Sequence, residues 1–265
     1  MCRIAGYVGT DRLALAALLY DPPHSLEHAA YAPRELLSGT VNVDGTGVAW
    51  WPEDGSGPLR YVTTSSPWAD PNLPGLAPAL GGRTVLAAVR SATPGMPYGS
   101  DNVAPFVADG LAGVHNGRIG GFRTGVGRNL LVGLDDAHFG QLSAMNDSLM
   151  LFLLVVQHLT DEPGSTLAGA VTAVIDQTAK AVTAAGETAT LNLMVASASA
   201  IVAARTSVGS DINSLYIRST AAGSWIASEP LDTDAGWAPV RNHSLVILTP
   251  GDIDIHRLEH EGTAS

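Results

Sequence analysis

Short apolar, β-branched segments recur along the whole chain, while the helical stretches between them come in sequence pairs and not one per strand. The strand candidates are 4–8, 48–51, 59–63, 84–89, 111–114, 191–197, 201–205, 215–218 and 244–248. The helix candidates are 13–20, 25–37, 147–159 and 166–185, the last alanine-rich and bounded by Pro163-Gly164 and Gly186. A doubly wound parallel sheet needs a crossover helix after nearly every strand. This order lacks that alternation, so the pattern predicts an α+β fold of antiparallel sheets with helices packed outside.

With 265 residues, 46% of them hydrophobic and only 15% charged, the chain suits one large domain with an extensive core. No repeat and no long Gly/Ser or Pro linker divides it. The formal net charge of −11 argues against nucleic-acid or anionic-membrane partners, which are met by basic surfaces. A small-molecule substrate fits better. The start Met1-Cys2-Arg3-Ile4-Ala5-Gly6-Tyr7 has no secretory pattern, and the longest apolar run, 149–156, is too short to cross a bilayer. A cytoplasmic protein is expected. One cysteine excludes an internal disulfide and a thiolate metal site, and His24, His28, His138 and His158 show no metal-ligand spacing. Neither a metal nor a cofactor is expected.

That one cysteine stands directly after a removable methionine. A thiol attacks as thiolate and needs a base to become one. An N-terminal residue carries its own, because a free α-amine with a pKa of about 7.7–8.0 is partly unprotonated at neutral pH. The alternative is a small buried residue opening the first strand.

Three further segments place polar groups where apolar runs open into loops, a common location for sites. Arg90 in Arg90-Ser91-Ala92-Thr93-Pro94-Gly95 follows a strand candidate; its guanidinium can grip a carboxylate with two parallel bonds and Thr93 can add a third, or it can be an ordinary surface arginine. His115-Asn116-Gly117 offers a side-chain amide and a glycine N–H to a developing oxyanion, but Asn-Gly is also the commonest hairpin signal. Asp147 in Asn146-Asp147-Ser148 can cap the helix that follows or meet a substrate ammonium.

In their joint order, Met1-Cys2-Arg3, Asn42-Val43-Asp44-Gly45-Thr46-Gly47, Arg90-Ser91-Ala92-Thr93, His115-Asn116-Gly117, Asn146-Asp147-Ser148 and Ala227-Ser228-Glu229-Pro230 resemble the class II glutamine amidotransferase family. The resemblance spans nearly the whole chain. It implies a four-layer αββα Ntn-hydrolase sandwich of antiparallel sheets over residues 2–257, with 258–265 as a polar tail. It implies Cys2 as nucleophile, Asn116 and the Gly117 N–H as the oxyanion hole, Arg90 with Thr93 on a glutamyl α-carboxylate, and Asp147 on the α-ammonium.

Glutamine-using members continue the arginine motif with Thr-His-Gly, whereas this chain reads Thr93-Pro94-Gly95, and no synthase domain is expected to follow. A closer resemblance, in Arg90-Ser91-Ala92-Thr93-Pro94-Gly95-Met96-Pro97 and from Ala227 to Trp237, is to the amidohydrolases of ergothioneine biosynthesis. It implies release of glutamate from a γ-glutamyl-cysteine sulfoxide conjugate of the hercynyl type. The alternative is a glutaminase subunit that passes ammonia to a separate synthetase partner. Thr46 stands where a tryptophan is expected, and 118–145 reads as a long polar insertion; both are expected to reshape the leaving-group pocket.

Overall fold

The computed structural model describes residues 2–92 and 98–260. Its strands are β1 (Arg3–Ala14), β2 (Thr46–Trp50), β3 (Leu59–Thr63), β4 (Gly81–Val89), β5 (Phe106–Ala108), β6 (Leu111–Ile119), β7 (Ala189–Ala196), β8 (Ile201–Val208), β9 (Tyr216–Thr220), β10 (Gly223–Ala227), β11 (Ala238–Pro239), β12 (Ser244–Thr249) and β13 (Asp252–Arg257). They form a seven-stranded sheet in the order β11-β9-β10-β1-β4-β2-β3 and a six-stranded sheet in the order β13-β12-β8-β7-β6-β5. All the pairings are antiparallel.

The strand period of two sorts their side chains into separate cores. In the β1–β4 ladder Ile4 faces Ala88 and Ala5 faces Ala87. Ile4 and Ala88 pack between the sheets against Ala112, Met194 and Ala203 of the second sheet. Ala5 and Ala87 point the other way, under the helices Ala16–Leu19 and Leu26–Tyr31. On the far side, Leu191, Leu193 and Val195 of β7 meet the helices Asp147–Asp161 and Leu167–Ala184. The layers therefore run helix, sheet, sheet, helix. Central strands read as continuous apolar runs because both of their faces are covered.

The alanine-rich helix buries Ala170, Val171, Val174, Ile175, Thr178, Ala179 and Val182, a stripe at helical period facing the second sheet. Thr166 caps its start by accepting from the Gly169 N–H at 3.1 Å. The helix Asp147–Asp161 differs in having every residue from Leu149 to Val156 buried. Its outer side needs its own cover, and this comes from 118–145. That polar segment is structured: its Phe122, Val126 and Leu130 join the same core, and it carries the short helices Gly127–Leu131 and Asp136–Phe139.

Other expectations also shift. Strand β6 continues to Ile119, so His115-Asn116-Gly117 lies inside a ladder with β7 and is not a turn. The helix expected over 25–37 stops at Tyr31, because Pro33 disfavours helical backbone in the residue before it and Ala32 turns out of the helix. Residues 13 and 14 stay in β1, which leaves a single helical turn after them. Among the described residues no helix is long and apolar enough to cross a membrane.

Phe152 is 1% exposed and lies over the bare Cα of Gly113, where an added Cβ would meet its ring at 2.3 Å. Replacing Phe152 by Ala is expected to destabilise the protein by about 3–5 kcal/mol, read as a lower midpoint in urea.

Candidate active site

Cys2 stands half-buried at the head of β1, and the residue after it fixes its position. Arg3 is wholly buried; its Nε donates to the Cys2 carbonyl at 2.8 Å and its Nη1 to Glu229 Oε1 at 3.1 Å. Burial pulls the Arg3 guanidinium down from its ordinary value, and the Glu229 carboxylate opposes that pull. Glu229 also accepts from the backbone N–H groups of Arg34 at 2.9 Å and Glu35 at 3.1 Å. Its neighbour Ser228 accepts from the Ile4 N–H at 3.0 Å and donates its own N–H to the Ile4 carbonyl at 2.8 Å. Ser228-Glu229 thus binds the N-terminal strand and the 34–35 loop into one corner.

Arg90 emerges from the end of β4 and is 8% exposed. Its N–H donates to the Gly45 carbonyl at 2.8 Å, and its carbonyl accepts from the Asp44 N–H at 3.0 Å. The Asp44 carboxylate takes the Ala92 N–H at 2.7 Å. Asp44 therefore sets the turn that follows the arginine, a role sequence reading missed although the Asp-Gly turn was visible. Gly47 is needed on steric grounds, since a Cβ there would lie 2.2 Å from the Ala104 carbonyl oxygen. Thr46 is buried within β2 and donates to the Ser65 carbonyl, away from the site. Thr93 lies outside the described residues.

Asn146 is the helix cap, accepting from the Leu149 N–H at 2.7 Å. That leaves Asp147, at the first helical position, turned to other partners. Asp147 Oδ2 accepts from the Ile119 N–H at 3.0 Å, and Ser148 Oγ lies 3.3 Å from Oδ1. Ser148 Oγ is also 3.1 Å from His115 Nδ1, while His115 Nε2 lies 3.1 Å from the Thr190 carbonyl oxygen. Burial lowers the His115 pKa from its ordinary 6.5, against the raising effects of the Asp147 charge and the Thr190 carbonyl. The ring reaches Thr190 across Gly117, where a Cβ would sit 1.9 Å from that carbonyl oxygen and 2.4 Å from Nε2.

Two cavities meet at Cys2. The smaller, about 50 Å³, is lined by Arg90, His115, Asp147 and Ser148. The larger, about 640 Å³, is walled by Leu37, Arg118, Glu187, Thr190 and Asp211. Cys2, Ser91, Ala92 and Gly117 line both. Cys2 Sγ lies 4.0 Å from the Ser91 carbonyl oxygen. Cys2, Gly117, Arg90 and Asp147 are thus brought together. Asn116 lines neither cavity: it is fully buried beside them, its Nδ2 3.4 Å from Ser228 Oγ. Of 118–145, Arg118 and Gly120 reach the larger cavity.

No protein-family model matches the chain. It is 33% identical over 259 residues to the γ-glutamyl-hercynylcysteine sulfoxide hydrolase of Mycobacterium tuberculosis (strain CDC 1551 / Oshkosh), covering 98% of this chain and 97% of that protein. It is 32% identical over 246 residues to the protein of the same name from Mycolicibacterium smegmatis, covering 93% and 95%. Among solved structures, a glutamine aminotransferase class-II domain protein from Silicibacter pomeroyi superposes with a TM-score of 0.71 at 22% identity, over 97% of this chain and 99% of that one.

Removing one partner of the Arg3–Glu229 pair leaves a buried charge unmatched. Glu229→Ala is expected to cost about 3–5 kcal/mol in chemical denaturation, far more than loss of the exposed Lys180–Asp176 pair, which is worth about 0.5 kcal/mol or less.

Proposed function

The chain belongs to the class II glutamine amidotransferase family of N-terminal-nucleophile hydrolases, and from that premise we propose that it removes glutamate from a γ-glutamyl-cysteine sulfoxide conjugate of the hercynyl type, with Cys2 as nucleophile after loss of Met1. The observation that carries this reading is the pair of unequal cavities meeting at Cys2. The small one sets a cationic and an anionic side chain, Arg90 and Asp147, around room for little more than an amino-acid head group. The large one is far bigger than a departing ammonia requires and suits a bulky amine. The names of the mycobacterial relatives support the same substrate class.

In this reading Arg90 and Thr93 hold the α-carboxylate and Asp147 the α-ammonium, which lays the γ-amide carbonyl against the thiol. The free α-amine of Cys2 takes the thiol proton, directly or through water, and the thiolate adds to the carbonyl carbon. The oxyanion accepts from the Gly117 N–H and from Asn116 Nδ2. The strand's period of two turns the Gly117 N–H to the same edge as the Ile119 N–H, which already donates into the site at Asp147. The long contact of Asn116 Nδ2 with Ser228 Oγ leaves that amide a weak bond to exchange for a charged one. As the C–N bond breaks, the leaving amine takes the proton from the Cys2 ammonium. Water then attacks the thioester, regenerating the thiol and releasing glutamate.

The test is steady-state glutamate release from the γ-glutamyl conjugate, beside ammonia release from glutamine. Wild-type protein, lacking Met1 by intact mass, is expected to turn over the conjugate at a higher kcat/KM than glutamine, and Cys2→Ala to abolish both. Faster ammonia release from glutamine would favour a glutaminase subunit serving a synthetase, and equal rates in Cys2→Ala would overturn the mechanism. Arg90→Lys is expected to lower kcat/KM by about 10- to 100-fold, since an ammonium cannot replace a two-pronged grip on a carboxylate.

A further inference from the structure

His115 is a buried titratable group that the proposed mechanism leaves unused, and its hydrogen bonds constrain its tautomer. The Thr190 carbonyl oxygen can only accept, so Nε2 carries the ring proton. Burial favours the neutral imidazole, in which Nδ1 is the acceptor. Ser148 has one hydroxyl proton to give and two acceptors within reach, Nδ1 at 3.1 Å and Asp147 Oδ1 at 3.3 Å. A buried ring nitrogen without a donor is costly, whereas Asp147 already takes the Ile119 N–H on its other oxygen and lines a cavity.

We propose that His115 is a positioning residue that captures the Ser148 hydroxyl proton and so leaves Asp147 Oδ1 open to the substrate ammonium. The inference rests on the assignment of Asp147 to that ammonium. With the hydroxyl turned toward the ring, a lone pair of Ser148 Oγ also faces the carboxylate side, adding acceptor character where a cation is to bind. Without an acceptor at Nδ1, the hydroxyl swings onto Asp147 Oδ1 and competes with substrate. Gly117 makes the device possible, because any side chain there would block the imidazole from Thr190.

The experiment compares a γ-glutamyl amide with its glutaryl analogue, which has the same leaving group and no α-amine, and reads KM and kcat separately. His115→Gln can still donate to Thr190 but offers nothing at the Nδ1 position. It is expected to raise KM for the amino-bearing substrate about fivefold, the worth of one net hydrogen bond, and to leave KM for the glutaryl analogue unchanged. Adding Ser148→Ala to His115→Gln should recover most of that loss, and His115→Asn, which returns an acceptor near Nδ1, should lie close to wild type.

Equal losses on both substrates, or no recovery on removing the hydroxyl, overturn the proposal. Asp147→Asn separates the two layers of argument. If it penalises both substrates alike, the ammonium assignment itself fails; if it discriminates and His115→Gln does not, only the role of His115 falls. Should His115→Gln not fold, ¹⁵N NMR of histidine-labelled wild-type protein decides, a bare Nδ1 and protonated Nε2 being expected and a protonated Nδ1 overturning it.

Discussion

The buried ion pair between Arg3 and Glu229 is the constraint on which the candidate site hangs. Placing two charges in the interior is expensive unless they are paired and hydrogen-bonded. Here the match is made with the parts that must be held still: Arg3 spends its Nε on the Cys2 carbonyl, and Glu229 collects the backbone of Arg34 and Glu35. The head of the first strand, the end of the tenth and the approach to the large cavity's wall at Leu37 therefore share one electrostatic knot. Packing alone could hold β1 in its sheet, but it would not specify where a residue just beyond the sheet's end should sit.

Strand β6 organises the opposite wall through its parity. Gly117 and His115 serve the cavities, while the intervening Asn116 is buried and exchanges bonds with Ser228 and Asn213. Three consecutive residues thus link the cavities to the interior beside them. The missing side chain of Gly117 is what lets an imidazole two residues earlier lie across its own strand.

Much of the architecture was open to reading because strands covered on both faces leave long apolar runs and the alanine-rich helix leaves a clean stripe. The class of fold and the large helices followed from these periods. Strands β5, β10, β11 and β13 carry weaker patterning because they are short, open on a glycine or lie exposed at a sheet edge. The overall polarity of 118–145 hides its part as a cover, although the eight buried residues from Leu149 to Val156 leave their helix no polar side and demand one. In the site, Arg90 and Asp147 were readable as charges at the ends of apolar segments. Asp44, Ser148 and the partnership of Arg3 with Glu229 were not, because their meaning lies in partners that only the fold brings near. Asn-Gly in a strand could not be told from Asn-Gly in a hairpin until the pairing of Asn116 with Asn192 was known.

The two cavities that share Cys2, Ser91, Ala92 and Gly117 also separate two kinds of change. Under the proposed assignment the cramped compartment reads only the acyl half of the substrate, and its walls carry the side chains that grip the α-carboxylate and α-ammonium and so place the reacting carbonyl. The roomy compartment is bounded instead by strand ends and loop residues such as Leu37, Glu187 and Asp211, none of which is bonded to Arg3 or Glu229. Drift in those residues can exchange one departing amine for another without disturbing bond cleavage. A scaffold divided in this way can diversify on its open side while its closed side stays unaltered.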